Sequence, residues 1–388
     1  MQFHSATSTA ESTSEAVESA VKQLRARLNN VDLAAVFFTG HHVPESADLV
    51  ERLWLELDPQ AIVGCSAEGV IGGDVEIERS PGIAVLAGAM PDVRIHPIHI
   101  ATDDWRDLLG SPEDLRERLG VGEETRAIIG LGDPWTTPLQ QFMQALDAMA
   151  PQAPLIGGMA SAARERGQNV LVRNDQTFDE GLVGVSLSGP LEVQTVVSQG
   201  ARPIGRPLVI TKAHDNVIEQ LGGKSAMEVL REIILSLSKD EQALLQHGLL
   251  IGRAISEYRE SFARGDFLVR NITGADQKSG AIALADYVRV GQTVQFHVRD
   301  AASADEDLKL MLESAAKSGQ PAGGLLFSCN GRGTRMFDSA NHDISLARQT
   351  MPQAPLAGFF AAGEIGPVGG KNFIHGHTAS FALLRNPS

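Results

Sequence analysis

The sequence is poor in aromatic residues and in positive charge, and each shortage argues against a class of protein. Aromatic side chains make up 5 % of the 388 residues, which is too few for the stacking surface of a single-stranded nucleic-acid binder. The 33 lysines and arginines face 48 aspartates and glutamates, and the formal charge of −15 repels phosphate backbones and anionic membrane surfaces. We therefore expect neither nucleic acid nor a membrane as a partner.

Cysteines and long apolar runs are also scarce. Cys65 and Cys329 are the two cysteines, which excludes a disulfide-rich scaffold and predicts reduced thiols. The chain has no run of about 18 apolar residues that could span a bilayer. The start, Met1–Ser5, lacks the basic and apolar regions of a signal peptide. Together these features predict a soluble protein of the cytoplasm.

One pattern of strands and a glycine-bearing turn occurs three times along the chain. Each copy has an apolar strand, an amphipathic helix, a second strand that ends in the turn, and a third apolar strand. The first strands are predicted at 32–40, 126–133 and 324–331, and the second strands with their turns at 58–69, 151–161 and 352–364. The pentapeptide Pro-Gln-Ala-Pro-Leu is identical at 151–155 and 352–356, which indicates an internal repeat.

Continuously apolar strands that alternate with helices are typical of buried α/β sheets. The sequence therefore predicts an α/β protein of mixed α+β character, built in two parts with largely buried mixed sheets. We expect an N-terminal tail with a lead-in helix at 1–29, an N-terminal domain with two copies at 30–221, and a C-terminal domain at 222–388. The C-terminal domain would hold the third copy with extra strands and helices. Residues 4–14, rich in Ser, Thr and Glu, are expected to be frayed.

The sharpest candidate for a site is Cys329–Gly333, because it follows a buried strand, where open α/β sheets bind ligands. Arg332 is suited to clamp a carboxylate in a bidentate pair. Glu364, at the end of the next strand, is suited to hold an ammonium group. The two together predict a small zwitterion, such as an amino acid, as ligand. The structural alternatives are a turn whose arginine faces solvent and, for Glu364, a helix cap or surface turn.

Further polar residues surround this segment. His375 and His377 would share one face of a strand, but no third ligand is evident, so we predict a hydrogen-bonding role and no metal. Asn330 lies within the segment, and Asn372 is either a turn residue or a polar contact. In the first copy Cys65 and Glu68 occupy the corresponding turn, and Glu68 aligns roughly with Glu364. The complete set of predicted ligand-binding residues is Cys65, Glu68, Cys329, Asn330, Arg332, Glu364, Asn372, His375 and His377.

Four of these segments resemble the FIST family. They are Gly64–Gly69, Leu326–Gly333, Gly363–Pro367 and His375–Thr378, and the resemblance extends over about residues 30–385. It implies a FIST N-terminal domain followed by a FIST C-terminal domain, and a sensory or signal-transduction role with small ligands such as amino acids. Since no kinase, cyclase or chemoreceptor segment follows within the 388 residues, the output is expected to pass through a separate signalling protein.

Two other functions stay open at the level of the sequence. The first is an enzyme that uses Cys329 as nucleophile, His375 as base and Glu364 as the group that orients the base. The second is a scaffold that only docks a partner. No cofactor is expected for any of the three functions.

Overall fold

The computed structural model describes residues 1–258, 262 and 265–387. These residues form two compact units. The first unit comprises Met1–Val197, Lys309–Ile374 and Thr378–Ser388, and the second comprises Ser198–Leu308 and His375–His377. The domain boundaries inferred from the sequence stay predictions.

Strands make up most of the regular structure, and helices connect several of them. In chain order the strands are β1 (Gln2–Ser8), β2 (Leu33–Thr39), β3 (Ala61–Ala67), β4 (Gly69–Gly72), β5 (Val75–Glu78), β6 (Ile83–Ala89), β7 (Arg94–Ile100), β8 (Thr125–Gly132), β9 (Leu155–Met159), β10 (Leu171–Arg173), β11 (Gln176–Phe178), β12 (Leu182–Ser188), β13 (Glu192–Gln199), β14 (Ala201–His214), β15 (Val217–Leu221), β16 (Lys224–Ser225), β17 (Leu249–Ala254), β18 (Phe267–Asp276), β19 (Ala281–Leu284), β20 (Thr293–Arg299), β21 (Gly323–Cys329), β22 (Leu356–Ala361), β23 (Glu364–Val368), β24 (Lys371–His375) and β25 (Thr378–Arg385). The α-helices are α1 (Thr13–Arg25), α2 (Ser46–Leu57), α3 (Trp105–Gly110), α4 (Pro112–Leu119), α5 (Leu139–Met149), α6 (Ala226–Ser236), α7 (Lys239–Leu244), α8 (Ala301–Ala316) and α9 (His342–Thr350). Short 3-10 helices lie at Gly40–Glu45, Thr102–Asp104, Leu245–His247 and Gly333–Arg335.

Three six-stranded sheets form the described part of the first unit. The first sheet has the order β1-β6-β2-β3-β10-β11, the second β24-β23-β9-β8-β12-β7, and the third β13-β25-β21-β22-β4-β5. Each sheet centres on a parallel pair, β2 with β3, β8 with β9 and β21 with β22. One helix lies between the two strands of each pair along the chain, α2, α5 or α9 respectively. An antiparallel strand, β6, β12 or β25, then pairs with the first strand of the pair.

The hairpin that follows each parallel pair leaves its own sheet and joins another. The hairpin β4–β5 follows β3 in the chain but pairs with β22 of the third sheet. The hairpin β10–β11 follows β9 and pairs with β3 of the first sheet, and β23–β24 follows β22 and pairs with β9 of the second sheet. The exchange runs in a closed cycle, so each sheet is completed by a segment from another. This arrangement brings residues that are distant in sequence to the edge of every parallel pair.

The strands of the three parallel pairs are almost entirely buried on both faces, in line with the mixed α/β prediction. On β2 the side chains of Leu33, Ala35 and Phe37 belong to a core cluster shared by all three sheets. The alternate side chains, such as Val36 and Phe38, pack with residues of α1 and α2. A strand buried on both sides loses the usual alternation of polar and apolar residues, as its sequence indicates.

The second unit contains a seven-stranded sheet of order β14-β20-β17-β18-β19-β15-β16, whose assigned strand pairs are all antiparallel. β18 and β20 lie within this sheet, and α6 follows directly after the edge strand β16 in the chain. Val229, Leu230 and Ile233 of α6 belong to the apolar core of this unit. Among the described residues, no helix combines the length and the apolarity needed to cross a bilayer.

The frayed terminus predicted for residues 4–14 is wrong. Gln2–Ser8 forms β1, which pairs with β6 along its whole length. Phe3 and Ala6 are buried, and the Phe3 ring lies directly over Gly88, where a Cβ atom would come within 2.2 Å of Phe3 Cδ1. Although the segment is mostly polar, Phe3 and Ala6 face the core and hold it in place. The strand that contains them, β1, is the edge strand of the sheet.

Candidate functional site

The candidate site lies where the parallel strands β21 and β22 end. Cys329 and Ala361 are paired there, and the next residue, Asn330, donates its backbone N–H to the Ala361 oxygen at 2.9 Å. The chain then turns back through Gly333, which has a φ of +54°. A Cβ atom on Gly333 would come within 2.7 Å of the Glu78 carboxylate, so this turn requires glycine.

A buried ion pair lies beneath this turn. Arg332 is 0 % exposed, and it donates from Nε and Nη2 to the two carboxylate oxygens of Asp343 at 2.8 and 2.7 Å. Ser328 Oγ also donates to Asp343, at 2.7 Å, and His342 Nδ1 lies 2.9 Å from its other oxygen. Burial alone would raise the pKa of Asp343, but the Arg332 charge and the hydrogen bonds from His342 and Arg332 together outweigh it and hold the pKa well below the usual range. Asp343 therefore stays ionised.

An aromatic ring fixes this pair from one side. Phe337 stacks on His342 with 3.4 Å between the ring centroids, and the Arg332 guanidinium lies 5.2 Å from the Phe337 ring. The guanidinium is thus held by a carboxylate and by a ring face. This corrects the expectation that Arg332 is open to a ligand, and equally the alternative that it faces solvent. Its Nη1 has no hydrogen-bond partner among the described residues.

Glu364 is also fully buried, and it is a neutral acid at neutral pH. Thr378 donates to its Oε2 from the backbone N–H at 3.1 Å and from Oγ1 at 2.6 Å. Burial raises the pKa of Glu364 to about 8, although the Thr378 hydrogen bonds, the Cys329 thiol and the Arg332 charge act in the opposite direction. A neutral carboxyl group does not provide the counter-charge that the sequence suggested for a ligand ammonium.

Another buried acid, Glu76, was missed by sequence reasoning. Its Oε1 accepts from the backbone N–H of Ile344 at 2.9 Å in the first turn of α9, and its own N–H donates to Asn341 Oδ1 at 2.7 Å. Burial, and after it the charge of Asp343, raises the pKa of Glu76 to about 8. Glu76 belongs to the hairpin β4–β5, so only the exchange between sheets brings it here. No local signal in the sequence marks this position.

A shallow opening on the surface lies next to the turn, and we call it the strand-end cleft. It is lined by Glu68, Gly69, Glu78, Arg79, Asn330, Arg335 and Phe360. Arg335 fills it: the guanidinium forms a bidentate ion pair with Glu68, with an Nη1–Oε2 distance of 2.9 Å, and also donates from Nη1 to the Asn330 oxygen at 2.6 Å. The remaining cavity volume is about 10 Å³, which is the space of one water molecule.

The two predicted site residues of the first copy, Cys65 and Glu68, lie in different surroundings. Glu68 lines the strand-end cleft, whereas Cys65 is fully buried in β3, where burial raises the pKa of its thiol well above the ordinary value. The predicted alignment of Glu68 with Glu364 is wrong. The strand registers pair Gly64 with Val36 and Gly358 with Leu326, so the residue equivalent to Glu68 in the third copy is Ala362 and not Glu364.

Three further predicted residues are not among those that line the cleft. Asn372 is a structural tie, since its Oδ1 accepts from the Leu155 N–H at 2.7 Å and its Nδ2 donates to Asp147 at 2.6 Å. His375 is buried at the end of β24. His377 has a φ of +63° and places Nε2 3.0 Å from Asn271 Oδ1. The strand ends before His377, so the two histidines do not share a strand face as expected.

The neutral state of Glu364 makes stability depend on pH. Its folded pKa lies above the unfolded value, so its contribution is full below about pH 4.5 and is lost as the pH rises toward 8. We expect Glu364→Gln, which resembles the protonated acid, to reduce this loss by up to about 1.4 kcal/mol per pH unit. Urea unfolding between pH 5 and 9 measures the slope.

The matched control for this experiment is Glu123→Gln, which changes an exposed glutamate. This variant should show the same dependence of the unfolding free energy on pH as the wild-type protein. Some slope should persist in Glu364→Gln, because Glu76 shifts in the same direction. Equal slopes for Glu364→Gln and the wild type would show that Glu364 is ionised in the folded protein.

Comparison with known families gives two matches that together span most of the chain. Residues 32–224 match the FIST N domain, and residues 226–367 match the FIST C domain. An uncharacterized protein of Mycobacterium tuberculosis strain H37Rv is 42 % identical over 355 residues, which cover 91 % of this chain and 91 % of the relative. An uncharacterized protein of Mycobacterium bovis is 40 % identical over 355 residues, covering 91 % of this chain and 90 % of the relative.

Proposed function

Because the chain belongs to the FIST family, whose domains are associated with sensing, signal transduction and small-ligand binding, we propose that it is a sensory protein for a small zwitterion such as an amino acid. We place the ligand in the strand-end cleft. The observation that carries this proposal is the partly exposed Arg335–Glu68 ion pair, which lies in a cleft beside the buried Arg332–Asp343 pair.

A zwitterion can replace this ion pair charge for charge. Its carboxylate would take the place of Glu68 on the Arg335 guanidinium, and its ammonium would take the place of Arg335 on Glu68. A ligand with a single charge would leave one of these two groups without a partner, which is costly in a partly desolvated cleft. The two side chains are 42 % and 36 % exposed, so opening the pair costs only about 0–1 kcal/mol.

The same exchange offers a route to an output. Arg335 also holds the Asn330 oxygen, and Thr334 holds Glu78 from its N–H at 3.0 Å and its Oγ1 at 2.8 Å. A ligand that moves Arg335 would therefore release the turn at the surface while the buried pair below keeps its geometry. We propose that a separate signalling protein in the cytoplasm recognises this change.

The geometry supports binding rather than catalysis by Cys329. Glu364 is protonated at neutral pH, so it lacks the negative charge with which it would orient His375 as a base. Cys329 is itself 7 % exposed, which restricts the approach of a substrate. We further propose that the three sheets are copies of one internal repeat, on the grounds of their shared strand plan and the pentapeptide at 151–155 and 352–356.

A thermal-shift screen of the twenty amino acids tests the proposal. A cognate amino acid at 100 times its Kd should stabilise the protein by about 2.7 kcal/mol. The corresponding amine without the carboxylate and acid without the ammonium should give much smaller shifts. Arg335→Gln and Glu68→Gln should each abolish the shift.

The matched control is Arg52→Gln, which breaks an exposed ion pair with Glu56 on α2. This variant should keep the full ligand response. If no amino acid shifts the melting temperature, or if the shift survives in both cleft variants, the strand-end cleft is not a zwitterion site.

A further inference from the structure

The second unit contains a cavity of about 240 Å³. It is lined in part by Gln199, Gln295 and His297, all three of which are buried residues, and by Phe262 and Phe267. None of the described residues that line it carries a formal charge at neutral pH. This cavity lies within the second unit and does not depend on the strand-end cleft.

The polar groups of the cavity lining are oriented by the backbone. Gln199 donates from Nε2 to the Phe267 oxygen at 2.8 Å, and Gln295 donates from Nε2 to the Gly205 oxygen at 2.9 Å. A carbonyl oxygen only accepts, so the amide nitrogen of each glutamine is the atom that faces the backbone. The atom left over on each side chain is Oε1, an acceptor, and no described residue donates to it.

His297 adds a third acceptor by the same reasoning. Its Nδ1 lies 2.9 Å from the Gln295 backbone oxygen, so Nδ1 carries the proton and Nε2 keeps its lone pair. Burial lowers the pKa of His297 to about 4, and the imidazole stays neutral at physiological pH. The cavity therefore offers two amide oxygens and one imidazole nitrogen, and each of these atoms accepts hydrogen bonds.

Aromatic rings form another part of the lining. The centroids of Phe262 and Phe267 lie 5.1 Å apart, and the Phe267 ring meets His297 edge-on at 5.5 Å. Phenyl faces attract cations, and the three acceptors match the three N–H bonds of a primary ammonium group. A carboxylate would find no cation among the described lining residues, so an amino acid is disfavoured here.

We propose that this cavity is a second binding site, for a small organic primary amine without a carboxylate. The protonated amine donates to Gln199, Gln295 and His297, and its apolar part packs between Phe262 and Phe267. The formal charge of −15 on the whole chain favours the approach of a cation. The site thus differs from the strand-end cleft in the class of ligand that it selects.

Isothermal titration calorimetry of the full chain tests this site with three probes of similar size. We expect 2-phenylethylamine to bind, 2-phenylethanol to bind more weakly, and 3-phenylpropionate not to bind. Phe262→Leu removes one aromatic face and should weaken binding of the amine about three- to tenfold. Gln295→Met removes one acceptor and should weaken it by a similar factor.

Arg52→Gln is the control, and it should leave the affinity for the amine unchanged, since it alters only an exposed ion pair on α2. The melting temperature of each variant shows whether it is folded, and Gln199→Met replaces Gln295→Met if the latter unfolds. The site does not exist as proposed if the amine gives no heat, if the carboxylate binds as tightly as the amine, or if Phe262→Leu and the glutamine variant both bind the amine like the wild type.

Discussion

Replacing Asp343 by alanine is expected to lower the free energy of unfolding by about 3–5 kcal/mol, because it leaves the Arg332 charge buried without its partner. Arg332 is 0 % exposed and cannot turn its guanidinium toward water. Ser328 and His342 would lose a hydrogen-bond partner in the same step. Urea unfolding at pH 7 measures the loss.

Two further variants separate this cost from a general effect of the substitution. Glu68→Ala removes the partner of the exposed Arg335 and should cost no more than about 1 kcal/mol. The double variant Arg332→Met with Asp343→Leu removes both buried charges and should recover part of the loss, since two apolar side chains need no partner. A loss below about 1 kcal/mol for Asp343→Ala would show that Arg332 reaches solvent or another anion.

The sequence predicted that polar candidate residues lie at the ends of buried strands, but it did not predict their electrostatics. Cys329, Asn330, Arg332 and Glu364 lie near the ends of the predicted strands because continuously apolar segments reveal buried parallel strands. Cys329, Arg332 and Glu364 are buried because segments distant in sequence, such as the hairpin β4–β5, pack near the strand ends. Arginine and glutamate are rarely fully buried, so residue type alone favoured exposure.

Long-range pairing accounts for most of what sequence reasoning missed. Glu76 and Asn341 are 265 residues apart and meet only because the hairpin β4–β5 pairs on β22. Asp343 stands in the first turn of a helix, where an acidic residue is ordinarily an exposed N-terminal charge. Glu68 and Glu364 looked equivalent in the sequence, and the strand registers separate them by two positions.

One glycine position recurs in the second strand of all three parallel pairs, and it explains why these strands approach so closely. A Cβ atom would lie 2.1 Å from the Val36 oxygen at Gly64, 1.8 Å from the Gly130 oxygen at Gly157, and 1.7 Å from the Leu326 oxygen at Gly358. Backbone atoms cannot yield as a flexible side chain can, so any side chain here forces the two strands apart.

Gly358→Ala is therefore expected to cost at least about 4 kcal/mol or to prevent folding, which is far more than most single substitutions. The matched control is Gly122→Ala, because the added Cβ atom meets no heavy atom within 4 Å and the φ of Gly122 is not in the left-handed range. This control should change stability by no more than about 0.5 kcal/mol. Thermal unfolding followed by circular dichroism compares the two variants. If Gly358→Ala melts at the same temperature as the wild type, β21 and β22 lie further apart than in this structure. The site at the ends of these strands would then have a different geometry.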